Sequence, residues 1–313
     1  MQGKLLKKEG LRDFLQHLMK KAELVAPVKT DTLRFQTINN PEEVCLEGLP
    51  IMPIKKYYLE HKHTILNFKG TQIRVNNPAP KKRIIFGVRL CDLNAIPVLD
   101  KLFLEENPDP YYQSTRDNTV LVGWHCDKPV DEYCFCESME LKPFYDLYIY
   151  EVADSYFIAI GSKKGADLVK HLPSFEYEPT RIKCSKKLEK KDLNRFLENP
   201  TWKEASKDCL SCGPCTNYCP TCLCFDIEDE VELDGKTGER KLHWDSCQYK
   251  DFTLVAGGFA FRQTKADRFR HRIFHKIQYF KDKFGIYMCT GCGRCIRWCP
   301  TRIDFVEIIN RLR

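Results

Sequence analysis

The 313-residue sequence carries 17 cysteines, and the most regular of them fall in two identical runs. The first is Cys209-x2-Cys212-x2-Cys215-x3-Cys219-Pro220 and the second Cys289-x2-Cys292-x2-Cys295-x3-Cys299-Pro300. A glycine, Gly213 or Gly293, follows the second cysteine of each. This is the ligand pattern of a 4Fe–4S cluster, and two copies imply two clusters. Three closely spaced thiolates wrap three corners of one cubane, while the fourth, just before proline, is carried to the neighbouring one. The spacing therefore groups Cys209, Cys212, Cys215 and Cys299 as one site, and Cys289, Cys292, Cys295 and Cys219 as the other. Zinc can sit on two C-x2-C pairs but has no need of the remaining cysteines at these offsets. Disulfide frameworks belong to small secreted domains. This chain is long, and its opening Met1–Lys21 stretch is charged and lacks the apolar core of a signal peptide.

A second set of cysteines stands earlier in the chain. Cys91 follows the apolar stretch Arg83-Ile84-Ile85-Phe86-Gly87-Val88, Cys126 follows Thr119-Val120-Leu121-Val122-Gly123, and Cys134-Phe135-Cys136 lies close behind. Both apolar stretches read as buried strands, and strand ends of an open α/β sheet gather at one edge, where ligands bind. Four thiols converging there match the number a cubane needs; zinc and inert buried cysteine are the alternatives. Cys222, Cys224 and Cys247 complete no site of their own, and packing beside the clusters is their simplest role. Cys45 and Cys184 have no companion in the pattern. His125, next to Cys126, is placed to support a sulfur through a hydrogen bond. His271 and His275 lie four apart but without a carboxylate or thiol, so no metal site is expected there. No Ser/His/Asp or Cys/His nucleophile arrangement occurs.

The elements that must position these thiols are readable in part. Leu5, Leu11, Phe14, Leu15 and Leu18 recur at helix spacing. Leu49–Pro53 reads as extended and Asn76–Pro80 as a turn. A helix is expected over Asp92–Phe103 with Asp92 at its cap. A hairpin is expected from Leu147–Val152 and Tyr156–Ile160, and a short helix over Gly165–Leu172. This alternation predicts an α/β domain over residues 1–180. Ser185–Ser206 is lysine- and leucine-rich and reads as helical, and Asp234–Gly238 as a turn. Phe269, Ile273, Ile277, Phe280 and Phe284 make one face of a further helix. Its other face carries Arg268, Arg270, Arg272, Lys276 and Lys281, as solvated surface, partner dock or cations beside anionic clusters. Residues 181–313 are thus expected to form an α-helical ferredoxin-like domain with two clusters.

Hydrophobic content is 43% and charged content 30%, an ordinary globular balance. No apolar run approaches the roughly 18 residues a membrane helix needs. The formal net charge of +7 suits acidic protein partners as well as nucleic acid. No dinucleotide fingerprint or P-loop is present, so no flavin or nucleotide is expected on this chain.

Several longer words carry a resemblance: GVRLCDLNAIPVLDKLF, DPYYQSTRDNTVLVGWHCDKPVDEYCFCESM, CGPCTNYCPTCLCFDI, WDSCQYKDFTLVAGGFAFR, RFRHRIFHKIQYF and CTGCGRCIRWCP. In this order, from about Ile84 to the C-terminus, they resemble the beta subunits of cytoplasmic nickel–iron hydrogenases of the sulfhydrogenase type and the anaerobic sulfite reductase A subunit. The resemblance implies a cytoplasmic, anaerobic electron-transfer subunit with several 4Fe–4S clusters. Its partners would be a flavoprotein and a catalytic oxidoreductase subunit of nickel–iron hydrogenase or sulfite-reductase type. It also implies that Cys91, Cys126, Cys134 and Cys136 bind a third cluster, and that the C-terminal half is a helical two-cluster ferredoxin domain. The alternative from another class is an iron–sulfur protein that binds nucleic acid through the basic helix. A third reading makes the chain itself catalytic, with substrate at Cys222, Cys224 and Cys247.

Overall fold

The computed structural model describes residues 1–76, 79 and 81–313. The turn expected at Asn76–Pro80 falls largely on residues 77, 78 and 80, outside the described ones. The chain divides into two compact units. The first comprises Met1–Ile54, Ala79–Lys186 and the short stretch Thr290–Cys292; the second comprises Lys55–Pro78, Lys187–Cys289 and Gly293–Arg313.

The described strands, in chain order, are β1 (Gln2–Lys7), β2 (Glu23–Lys29), β3 (Leu33–Thr37), β4 (Lys62–Lys69), β5 (Gln72–Val75), β6 (Arg83–Val88), β7 (Thr119–Trp124), β8 (Leu147–Val152), β9 (Ser155–Ile160), β10 (Ser174–Glu176), β11 (Phe225–Val231) and β12 (Thr237–Trp244). In the first unit an 8-stranded sheet runs β10-β1-β9-β8-β7-β6-β2-β3. Its middle is parallel: β2 pairs β6, β6 pairs β7 and β7 pairs β8 in the same direction. The flanks are antiparallel. β6 is buried from Ile84 to Val88, as suits a strand covered on both faces. The helix Leu11–Met19 buries Phe14, Leu15 and Leu18 against this sheet, and Ala95–Phe103 buries Ala95, Ile96, Val98 and Leu99. Because β6 and β7 are parallel neighbours, the residues that follow them, including Cys91 and Cys126, leave the sheet at the same edge.

Several local expectations change. Leu5 lies on β1, not on the first helix, because Gly3–Leu6 pair with residues of β9 that are distant in sequence. Asp92 is not a cap: it sits fully buried inside the short helical turn Leu90–Leu93, and Asn94 precedes the longer helix. The helix predicted at Gly165–Leu172 spans Lys163–Val169, with the Ser162 side chain accepting from Gly165 N–H. Ser185–Ser206 is mostly irregular, holding only the turn Leu193–Phe196 and the helix Thr201–Ala205.

The second unit is not purely helical. It contains a 4-stranded antiparallel sheet ordered β11-β12-β4-β5. The β11–β12 hairpin closes over the expected turn, where one Asp234 carboxylate oxygen, Oδ1, accepts from both the Lys236 and Thr237 N–H groups. Its helical backbone is the helix Lys265–Phe274, continued by a π-turn at His275–Tyr279 and by Phe280–Phe284. Thr264 caps it in a reciprocal pair with Asp267. Phe269, Ile273, Ile277 and Phe280 are buried, as their spacing predicts. So are Arg268, Arg272 and Lys276 of the basic face, whereas Arg270 is half-buried and Lys281 exposed, so that face is solvated only in part.

Candidate metal centres

The two cysteine runs fold alike. In each, a residue of positive φ before the second cysteine (Ser211, Gly291) and one after it (Gly213, Gly293) bend the chain around the thiols. A short helix then starts, Pro214–Asn217 in one and Arg294–Arg297 in the other. Repeated reversals of this kind let three consecutive cysteines face one point. Each run ends in Cys-Pro-Thr, and in each the threonine hydroxyl reaches the cysteine sulfur: Thr221 to Cys219 at 3.4 Å and Thr301 to Cys299 at 3.5 Å.

In the second unit a cavity is lined by Cys209, Cys212 and Cys215 of the first run together with Cys299 of the second. Gln248, Phe269, Arg272, Cys295 and Phe305 complete its wall. Cys212 is exposed, so this cavity opens close to the surface. Backbone N–H groups of Ser211 and Ile303 point at the Cys209 and Cys299 sulfurs, each at 3.4 Å, the geometry that favours a thiolate. Burial, helped by the neighbouring thiols of Cys295, Cys247 and Cys209, pushes the free Cys215 thiol up to about 12, against the pull of Arg272. A bound cluster would take such a sulfur as thiolate outright. Of the second group, Cys289, Cys295 and Cys219 belong to the second unit and Cys292 to the first. The Lys276 carbonyl accepts from the N–H groups of Met288 and Cys289, which ties the start of the second run to the long helix.

Arg272 and Lys276 stand among these sulfurs. An Arg272 Nη2–H group donates to the Cys215 carbonyl at 2.7 Å, and its guanidinium lies beside the Cys295 and Cys219 thiols. Lys276 Nζ donates to Thr221 Oγ1 at 2.8 Å. A third buried cation, Lys55, donates to the Thr216 and Cys222 carbonyls at 3.1 and 2.9 Å and sits over the Trp244 ring. Burial lowers its pKa to about 8, and the thiols of Cys222 and Cys219 oppose that drop. The Cys219 thiol is pushed well below its ordinary range by the hydrogen bond from Cys222, against burial and with help from Lys276 and Arg272. Three buried cations without carboxylate partners in these contacts fit an anionic group, and four thiolates around a cubane supply one.

Cys222, Cys224 and Cys247 pack at the same place: Cys222 beside Cys219, and Cys224 against Cys247, whose sulfur also receives Gln248 Nε2–H at 3.5 Å. Among the described residues, no group of three or more His, Cys, Asp or Glu could hold a single metal ion. Cubane ligands surround an eight-atom core and stand wider apart. His271 and His275 are half-buried and their pKa values fall to about 4, chiefly through burial, so both rings are neutral.

At the sheet edge of the first unit, Cys126, Cys134 and Cys136 lie near enough to influence one another's charge. Cys91 packs with Leu49, Cys292 and the half-buried Cys136. The Phe135 N–H, between the two cysteines of the C-x-C loop, donates to the Gly291 carbonyl at 2.9 Å. Two residues that the sequence pattern did not single out stand here. Cys184 is buried, and its sulfur is 3.9 Å from that of Cys136. Arg89 follows β6 directly and clamps the edge by donating to the carbonyls of His125 (2.7 Å) and Leu46 and to the Cys126 sulfur. The position of Arg89, immediately after an apolar strand and two residues before Cys91, was the available signal; Cys184 had none. His125 lies edge-on to Tyr148 and tilted against Tyr150, and burial lowers its pKa.

Residues 208–303 match the 4Fe-4S dicluster domain family. The chain is 34% identical to sulfhydrogenase 2 subunit beta of Pyrococcus furiosus, over 98% of this chain and 97% of that protein. It is 28% identical, over 34% of its length and 22% of the relative's, to a component of the dihydromethanophenazine:CoB–CoM heterodisulfide reductase of Methanosarcina barkeri. It is 24% identical, over 44% of its length and 28% of the relative's, to the beta subunit of an F420-dependent formate dehydrogenase of Methanocaldococcus jannaschii. No solved structure matches the chain.

Proposed function

This chain belongs to the family of the sulfhydrogenase beta subunit, an iron–sulfur electron-transfer family, and from that premise we propose that it relays single electrons inside a cytoplasmic oxidoreductase complex. The catalytic subunit it serves is of nickel–iron hydrogenase or sulfite-reductase type, and a separate flavoprotein or ferredoxin-like protein stands at the other end. The relatives are named as subunits of a sulfhydrogenase, a heterodisulfide reductase and a formate dehydrogenase. All three are thus named as components of oxidoreductases.

The observation that carries the reading is the cavity in which Cys299 joins Cys209, Cys212 and Cys215. That exchange of fourth ligands is what a two-cluster ferredoxin-like domain requires. On this assignment Cys289, Cys292, Cys295 and Cys219 hold a second cluster, and Cys91, Cys126, Cys134 and Cys136 a third, in an N-terminal α/β domain. When bound, each cluster supplies one-electron redox chemistry. The residues of this chain do the rest. The thiolates fix each cluster, Arg272 and Lys276 oppose its negative charge, and the apolar packing of Phe269 and Phe305 excludes water from the inner wall. Exposed Cys212 gives one site an outlet at the surface. Partner docking is supported by a sheet face in the second unit that exposes apolar side chains around the Asp229–Arg240 ion pair. Phe225, Ile227 and Val231 on β11 and Ile73 and Val75 on β5 share that face and are exposed. The basic helix gives no support to a nucleic-acid role, because Arg268, Arg272 and Lys276 are buried away from any phosphate.

Anoxic purification from the native source tests the proposal. A hydrogenase-like or reductase-like catalytic subunit and a flavoprotein should co-purify, and the reduced complex should pass electrons through this chain. Recovery as a lone protein that accepts electrons from neither partner class would overturn it.

A further inference from the structure

The two Cys-Pro-Thr ends are identical in sequence but not in setting. Thr301, beside Cys299, is exposed. Thr221, beside Cys219, is fully buried and receives Lys276 Nζ–H at 2.8 Å. An ammonium group only donates, so the Thr221 oxygen accepts from it; toward a thiolate at Cys219, 3.4 Å away, the remaining Thr221 O–H is the donor. A neutral hydroxyl is thereby polarised by a buried full charge, and the charge itself stands one hydroxyl from the sulfur. Lys55 adds a second buried ammonium on the same side, through the Cys222 carbonyl.

We propose that Lys276, acting through Thr221, is a positioning residue that makes the cluster held by Cys219 the more easily reduced of the ferredoxin-like pair. The physical reason is the sign of the change. Adding an electron makes the thiolate-bound cluster more negative, and hydrogen bonds and positive charge at its sulfur stabilise that form. In a low-dielectric interior the effect is not screened away. The cluster held by Cys299, whose threonine faces solvent, lacks this relay. Electrons arriving at the exposed Cys212 side would then run inward, toward Cys219. The inference rests on the proposed cluster assignment.

The test is a redox titration of the parent protein, followed by electron paramagnetic resonance, against Lys276→Met, Lys276→Arg and Thr221→Val. Iron is counted first. A parent without iron–sulfur signals refutes the cluster assignment itself and is thereby distinguished from failure of the relay. With clusters present, Lys276→Met should shift one cluster so that its reduced-to-oxidised ratio at a fixed applied potential falls at least tenfold, or 59 mV for one electron. The other cluster should hold its value. Thr221→Val should move the same cluster in the same direction, and Lys276→Arg should restore it. Equal potentials in Lys276→Met and parent would overturn the inference, and so would an equal drop in Lys276→Arg, which would report packing instead of charge. If Lys276→Met does not retain iron, Thr221→Val decides: a lowered potential supports the relay and an unchanged one refutes it.

Discussion

Gly291 is a position where a single methyl group should cost on two counts. It has φ +69° and lies in the second cysteine run, and a Cβ placed on it would stand 2.5 Å from Cys136 Cα and 2.6 Å from Cys136 N. Both neighbours are backbone atoms, so no side chain can swing aside. Two penalties add in Gly291→Ala. The left-handed conformation costs an alanine roughly 1–2 kcal/mol, and forced overpacking of a filled site costs about 1–3 kcal/mol more. The substitution should also push the C-x-C loop off the Phe135 N–H to Gly291 carbonyl bond. Gly285 is the matched control: its φ is +74°, and an added Cβ meets nothing within 4 Å, so Gly285→Ala carries the conformational cost alone. For chains of this class each kcal/mol lowers a thermal midpoint by roughly 2–4 °C. Gly285→Ala is expected to lose roughly 5 °C and Gly291→Ala roughly 10 °C. Gly291→Ala should also lose iron from the loop it displaces. The assay is thermal scanning at one fixed rate under anoxic conditions, with iron counted per chain. Equal midpoints for the two variants, with parent iron in both, would refute the reasoning.

Cys134→Ser combined with Cys136→Ser should remove about four irons per chain while the other two clusters still reduce; unchanged iron in a folded protein would remove the third site. Thr264→Ala takes away the side chain that accepts from Asp267 N–H at the start of the long helix. It should cost about 1 kcal/mol in denaturant unfolding, and no measurable change would show that the cap is redundant. Binding to duplex DNA should be weak and lack the steep salt dependence of multiple phosphate contacts; a slope equivalent to several contacts would revive a nucleic-acid role.

What could be read from the sequence was what depends on local spacing. The cysteine runs are local objects, and so are the apolar stretches that became β6 and β7 with Cys91 and Cys126 beyond their ends. Properties set by distant partners were not legible. Leu5 has helix spacing, yet β1 is held as a strand by β9 and β10. The sheet of the second unit joins β4 and β5 to β11 and β12 across a long stretch of chain, which hid it inside an expected helical domain. Arg272 and Lys276 look like a solvated face because charge normally is one; only the thiols and carbonyls around them make burial tolerable. Cys184 had no spacing to announce it and meets Cys136 through the path of the chain alone.

The most direct test of the account is the metal content of the full chain purified without oxygen. The account predicts a brown protein with iron and acid-labile sulfide in equal amounts, about four of each per cluster and three clusters per chain. Its visible absorption should bleach on reduction with dithionite. A colourless protein carrying stoichiometric zinc would contradict it.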